Sequence, residues 1–260
     1  MAKHSTAKRM WAFDAPNATI DKSMIEAGSS GDWMTPFPSY LIEHSGGLVL
    51  FDTGLSPEAA GNPASVYGES AVSSRIEYSQ EQRLDRQLDS IGFKPSDVEH
   101  VVLSHLHFDH TGGVALFPDA LFYLGEGEMD YALNPDTHLC GLYRPEELKA
   151  VRNYRTHTVA GGDHDLFGDG SISLLLLPGH SPGSLAMKVQ LPNRTIILSG
   201  DVSHTRAAFK SACPFSLDQD STAAVSSIKR LQSIQQESGA EVWIGHDPDD
   251  WDTFGPGSYE

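Results

Sequence analysis

Only two cysteines, Cys140 and Cys213, occur in 260 residues. Two thiols outside any CxxC pair exclude a disulfide framework and a cysteine-built zinc knuckle, and both are read as buried or semi-buried side chains. Basic residues are also scarce: 18 Lys and Arg stand against 35 Asp and Glu, a formal charge of −17. Such a field repels polyanions, which argues against nucleic acid as a partner. No apolar run approaches the roughly 18 residues of a spanning helix, so no membrane partner is expected. Met1–Phe13 carries Lys3, Lys8 and Arg9, but no apolar segment follows them. That stretch therefore reads as lacking a secretory signal, and a cytoplasmic location is expected. Hydrophobic residues make up 39%, enough for a sizeable core at this length. With no linker and no low-complexity segment, residues 1–260 read as one domain.

Apolar patterning divides the chain into strands and helices. Residues 39–43 and 48–52 are short apolar runs around Ser45-Gly46-Gly47, a hairpin signal. Residues 55–79 are rich in Ser, Pro, Gly and Ala and read as a long irregular excursion. Leu84, Leu88 and Ile91 recur at spacings of four and three, predicting a helix over 80–91 that ends at Gly92. Strands are predicted at 100–104, 121–124 and 171–177, with helical pieces over 126–156. A second hairpin is predicted from 185–190 and 195–199. Residues 221–237 carry Ala224, Ile228, Leu231 and Ile234 on one face, a helix closed by Gly239 and followed by a last buried strand at 241–244. The order strands, helix, strand occurs twice, a weak hint of duplication. It predicts one α/β domain with two packed sheets between helices.

The chemistry concentrates where apolar strands end. His105, His107, Asp109 and His110 lie within six residues, directly after one such strand and before Gly112-Gly113. If extended geometry persists, His105 and His107 share one face. Asp109 and His110 fall where the chain must turn and so reach a second position. Imidazole with carboxylate suits zinc, and also iron, cobalt or manganese. Three further strand ends present His180 in Pro178-Gly179-His180-Ser181-Pro182-Gly183, Asp201 after Gly200, and His246 after Gly245. Together with the first cluster they are enough ligands for two metals.

This pattern resembles the metallo-β-lactamase superfamily over about residues 39–247, including Asp52-Thr53-Gly54, which is similar to that family's early Asp-Thr-Gly element. The resemblance implies a four-layer αβ/βα sandwich with two mixed β-sheets flanked by helices. It also implies two divalent metal ions, most readily zinc. His105, His107 and His180 would hold the first, and Asp109, His110 and His246 the second. Asp201 would bridge them, while Asp52 would support a ligand from behind. A metal-bridging hydroxide would attack a carbonyl, and Asp109 would carry a proton to the leaving group.

Within the superfamily the chain is most similar to the N-acyl-homoserine lactone hydrolases, the quorum-quenching lactonases. The similarity lies in Phe108 inside the histidine motif, the element around His180, and Pro36-Phe37-Pro38-Ser39-Tyr40. It implies a small cyclic-ester substrate opened by water, with segments 55–79 and 126–156 lining an acyl pocket and Phe108 at its floor. One position departs from the pattern. His204 stands where those lactonases commonly carry a tyrosine that contacts the substrate carbonyl, three residues after Asp201. An imidazole N–H can also donate to an oxyanion, and it titrates nearer neutrality. Lactam or cyclic carbamate hydrolysis and a glyoxalase-II-like thioesterase are the alternatives, with a catalytically silent metal-binding module as the reading without an enzyme. A homodimer is left open.

Overall fold

The protein is described here by a computed structural model covering residues 7–26 and 28–260. The reading of the amino terminus falls partly on residues 1–6, outside the described residues. The strands are β1 (Ala7–Ala12), β2 (Asn17–Asp21), β3 (Asp32–Pro36), β4 (Tyr40–His44), β5 (Gly47–Phe51), β6 (Val98–Val102) and β7 (Leu121–Gly125). They continue with β8 (Arg155–Val159), β9 (His164–Asp165), β10 (Ile172–Leu176), β11 (Leu185–Gln190), β12 (Thr195–Leu198), β13 (Glu241–Trp243) and β14 (Gly257–Tyr259). The helices are α1 (Ala64–Tyr67), α2 (Glu69–Ser73), α3 (Leu84–Ser90), α4 (Phe108–Thr111) and α5 (Glu128–Leu133). They continue with α6 (Pro145–Asn153), α7 (Arg206–Ser211), α8 (Ser221–Ser238) and α9 (Pro248–Phe254).

Seven strands form one sheet in the order β14-β1-β4-β5-β6-β7-β8, and five form the other in the order β13-β12-β11-β10-β9. Both are mixed: β5 to β8 run parallel, as do β12 and β13, and the remaining pairs are antiparallel. Strand β5 shows why two sheets pack between helices. Val49 and Phe51 join the core between the sheets, whereas Leu48 and Leu50 join the core under α3 and α6. A strand buried on both faces needs an unbroken apolar run rather than alternation. On the far side, Ala224, Ile228 and Leu231 of α8 cover β10, β12 and β13. Asp220 caps that helix by accepting from the backbone N–H groups of Thr222 and Ala223, both at 2.9 Å, and Gly239 ends it at φ +67°. These four layers match the expected sandwich.

Several expectations are corrected. The hairpin at 39–52 is present as β4 and β5, but three unforeseen strands precede it: β1, and β2 paired with β3 in a separate ribbon. Residues 55–79 are not structureless but hold a 3-10 turn and the short α1 and α2. The helix predicted over 80–91 begins only at Leu84; before it, the side-chain amides of Gln80 and Gln82 donate to the carbonyls of Ala60 and Ala15 and tie the segment to neighbouring loops. Arg155 and Thr156, predicted helical, open β8, whose residues are exposed except Val159 and so carry no apolar signature. The strand expected at 241–244 is β13 and is the last buried one, followed only by β14, whose residues are mostly exposed and which pairs with β1 at the far edge. Cys140 and Cys213 are exposed rather than buried. Each sits at a surface reversal, Cys140 opening a 3-10 turn and Cys213 following the left-handed Ala212 that ends α7.

The site's place follows from strand direction. Strands β5 and β6 are parallel, so Asp52 and the His105 loop leave the same edge of one sheet. Strand β10 is antiparallel to β11, which is antiparallel to β12, and β12 is parallel to β13. The segments that follow β10, β12 and β13, with His180, Asp201 and His246, therefore leave one edge of the other sheet.

Candidate metal centre

Beyond β6 the chain bends at Ser104 and again at His107, whose own backbone is extended, and then turns into α4. His105 and His107 meet on one side, with Nε2 of His105 2.8 Å from Nδ1 of His107. Nε2 of His180 lies 3.1 Å from the same Nδ1. Asp109 and His110, on the helical turn, face the second position. There His110 Nε2 lies 3.4 Å and His246 Nε2 3.6 Å from Asp109 Oδ2. Gly112 lets the backbone of residues 54–56 pack against the end of this turn, because a Cβ on it would lie 2.1 Å from the backbone nitrogen of Ser56.

Asp201 stands between the two sets. Its Oδ2 lies 3.4 Å from His180 Nε2 and 3.8 Å from His105 Nε2. Its Oδ1 lies 3.1 Å from His246 Nε2 and 3.3 Å from His110 Nε2. One carboxylate oxygen thus faces each set. The residues can be grouped as His105, His107, His180 and Asp201, and as Asp109, His110 and His246, each compact enough to hold an ion.

The donors fit metal ions better than they fit each other. Among the described residues, His110 Nε2 and Asp201 Oδ1 are buried without a hydrogen-bond partner. Ligand atoms about 2.0–2.2 Å from a tetrahedral zinc stand roughly 3.3 Å apart, which is the spacing found here. Three outward ring nitrogens are held by acceptors, which fixes the direction of the inward ones. His110 Nδ1 donates to Asp52 Oδ2 at 2.9 Å, His180 Nδ1 to Asp218 Oδ1 at 3.0 Å, and His246 Nδ1 to the Pro36 carbonyl at 2.7 Å. Asp52 is at φ +58°, a left-handed conformation that aims its other oxygen at the backbone N–H of Ser104, 2.7 Å away.

The electrostatics differ between the sets. Burial and the surrounding imidazoles hold His105 and His107 well below 6.5. Burial would do the same to His110, but Asp201, Asp109 and Asp52 outweigh it and raise that imidazole well above 6.5. Burial alone would raise Asp109, yet His110 and His246 bring it down to about 2. Asp201 is held well below 3.8, its burial outweighed by His246, His110, His105 and His204.

His204 lies at the mouth of this cluster. Its Nε2 is 3.1 Å from Asp201 Oδ2, and its ring stacks on Phe215 at 3.9 Å. With Asp201 and His246 it forms a third compact ligand group. Burial lowers its imidazole, against the pull of Asp201. An open cleft leads from here to solvent, floored by His107, Asp109, His180, Asp201, His204 and His246. Phe108 lines it as expected, and so does Ile76 from the 55–79 excursion. Segment 126–156 contributes Leu142. The other apolar walls were not foreseen: Ala18, Ile20, Met24, Ile25 and Phe37 from the ribbon region, and Phe215 and Leu217 beyond α7. Asp218 was also missed. Nothing local marks it, since its contact with His180 spans 38 residues.

A sequence profile of the metallo-beta-lactamase superfamily matches residues 38–246. An N-acyl homoserine lactonase, AttM of Rhizobium radiobacter, is 32% identical over 233 residues, which are 88% of this chain and 89% of the relative. The fold superposes on a crystal structure of a variant of AiiA from B. thuringiensis with N-decanoyl-L-homoserine bound at the active site. The TM-score is 0.84 at 26% identity, covering 96% of this chain and 98% of that one. An N-acyl homoserine lactone hydrolase with the product N-hexanoyl-L-homoserine at its catalytic metal center gives a TM-score of 0.83 at 27% identity, with the same coverage. From the match over residues 38–246 and the likeness along nearly the whole length, this chain belongs to the metallo-β-lactamase superfamily.

Proposed function

We propose that this protein is a dinuclear metal hydrolase that opens the ring of N-acyl-homoserine lactones or closely related cyclic esters. The observation that carries the reading is Asp201, whose two oxygens face two separate ligand sets beneath an apolar cleft. The relatives named lactonases support the substrate class. His105, His107 and His180 would hold one ion and Asp109, His110 and His246 the other, with Asp201 between them and Asp52 steadying His110. Zinc suits this nitrogen-rich set best.

Two bound divalent ions would acidify a water and polarise the ester carbonyl. The chain's own residues do the rest. Ile20, Met24, Ile25 and Leu217 offer an apolar wall to an acyl chain, and Phe108 packs beside the reacting end. His204 donates a hydrogen bond to the carbonyl oxygen as charge develops on it. Asp109 takes up the attacking water's proton and delivers it to the alkoxide that leaves when the ring opens. Water adds to the carbonyl carbon and the ring C–O bond breaks, leaving an alcohol and a carboxylic acid on one product molecule, and the acid then releases its proton to solvent.

The test is a substrate panel run beside metal analysis. Acyl-homoserine lactones, aromatic lactones, a thioester and a lactam are offered to protein of measured metal content. We expect lactones to be turned over fastest, activity to vanish on chelation, and zinc add-back to restore it. Faster turnover of the thioester or lactam would overturn the substrate class. Two ions bound without hydrolysis of any substrate would overturn the enzyme reading.

A further inference from the structure

Glu128 is fully buried, and nothing in the chemistry above uses it. It opens α5, directly after Gly127. Its Oε1 accepts the backbone N–H of Leu106, the residue between His105 and His107, at 2.9 Å. Its Oε2 accepts the backbone N–H of Gly183 at 3.0 Å and also the hydroxyl of Ser181, which follows His180. A single carboxyl group therefore joins two loops whose ligands, His107 and His180, lie 73 positions apart in sequence.

The packing around it leaves no slack. A Cβ on Gly183 would lie 2.5 Å from Cβ of Glu128, and a Cβ on Gly125 would lie 2.0 Å from the Gly183 carbonyl oxygen. Ser181 is tied further, its N–H donating to Ser184 Oγ at 2.9 Å. Burying a carboxyl group is costly unless donors converge on it, and here three do. The second ligand set is held differently. There the supports touch the imidazoles themselves, Asp52 on His110 and the Pro36 carbonyl on His246.

We propose that Glu128 is a positioning residue for the first ion alone, fixing the spacing between the His105–His107 loop and the His180 loop through their backbones. The proposal rests on the two-metal reading above. It explains why the three nitrogens of His105, His107 and His180 converge although they come from opposite sheets. Side-chain support of this kind typically changes metal affinity by about 10–100-fold.

Zinc ions titrated into metal-free protein test it. The wild type should take up two equivalents. In Glu128→Ala one equivalent should weaken by about 10–100-fold while the other keeps its affinity. Glu128→Gln, which can still accept from Leu106, should fall in between. Excess zinc should restore kcat in both variants. Ser181→Ala removes one donor without removing the carboxyl group, and it should weaken the same equivalent by roughly tenfold. It also decides the matter if Glu128→Ala does not fold. Equal weakening of both equivalents, or unchanged affinities in Ser181→Ala and Glu128→Gln, would overturn the proposal. Fewer than two equivalents in the wild type would overturn the two-metal reading itself.

Discussion

The two ligand sets share Asp201 but are built on opposite electrostatic plans. Around His105, His107 and His180 the direct donors are imidazoles, two of them held far toward neutrality by burial. The carboxyl groups behind that set, Glu128 and Glu147, are both pushed upward by burial. Around His110 and His246 the order reverses. Asp109 is held down at about 2, and His110 is pushed up by three carboxylates. The first set offers neutral nitrogen lone pairs, whereas the second places its imidazoles among the carboxylates of Asp52, Asp109 and Asp201. The first should therefore discriminate by ligand softness, favouring zinc over manganese, and the second more by charge.

The most damaging way to break the comparison is to remove what the sets share. Asp201→Asn keeps the volume but leaves one amide nitrogen facing imidazole lone pairs. We expect hydrolysis to fall by more than about 10³-fold, roughly 4 kcal/mol in the barrier. Metal analysis should show fewer than two ions. Full occupancy with near-normal turnover would refute the bridging role.

Next in size is Asp52→Asn, which should act on one set only. Asparagine tolerates the left-handed conformation of residue 52, so the backbone can stay as it is. It can still accept from Ser104, but its amide then points a donor at His110 Nδ1. The second ion should bind about 10–100-fold more weakly, with the first unchanged. Titration of metal-free protein reads both, and parallel weakening would show that the sets are not independent.

The asymmetry was only half legible in the sequence. The ligands were visible because His105 to His110 crowd together after an apolar strand, and His180, Asp201 and His246 each follow another one directly after a glycine. The element order already pointed to two packed sheets between helices, but the assignment of His180, Asp201 and His246 to the two sets came from family resemblance. The supports were not visible. Glu128 and Asp218 act across 22 and 38 residues of sequence, and no local pattern encodes such contacts. The ribbon was missed for another reason. Asn17–Asp21 and Asp32–Pro36 are polar and short, and they hold their place by pairing with each other and through backbone bonds from Asn17 and Thr19 to the 55–79 excursion. The same excursion read as loop because α1 and α2 are only four and five residues long.

A smaller effect sharpens the contrast from the side of the first set. Thr111 has one hydroxyl hydrogen, yet its oxygen lies 3.0 Å from the His107 carbonyl and 2.6 Å from Glu147 Oε2. A protonated Glu147 settles both contacts by donating to Thr111, which then donates to His107. Burial raises Glu147 from its usual 4.5 to about 7, against the pull of Thr111 and Arg144. Because the folded state holds this proton more tightly, the stabilisation is full below about 4.5 and is lost as the pH rises through about 7. Glu147→Gln mimics the protonated form at every pH. Its stability relative to wild type should therefore rise between pH 5 and 8, by about 2 kcal/mol. Thermal unfolding across that range measures it, and a constant difference would remove Glu147 from the support of His107.

The mildest change tests whether His204 stands outside both sets. His204→Tyr keeps an aromatic ring on Phe215, so the stacking at the mouth of the cleft can survive. The hydroxyl reaches further than Nε2 and no longer faces Asp201 Oδ2 as an imidazole nitrogen 3.1 Å away. A hydrogen bond to substrate is worth about 0.5–1.5 kcal/mol, so relative kcat/KM among lactones should move by less than about tenfold. Both ions should remain, because the seven other donors are untouched. If one ion is lost, His204 belongs to a ligand set, and the trio it forms with Asp201 and His246 is part of the metal centre rather than of the cleft.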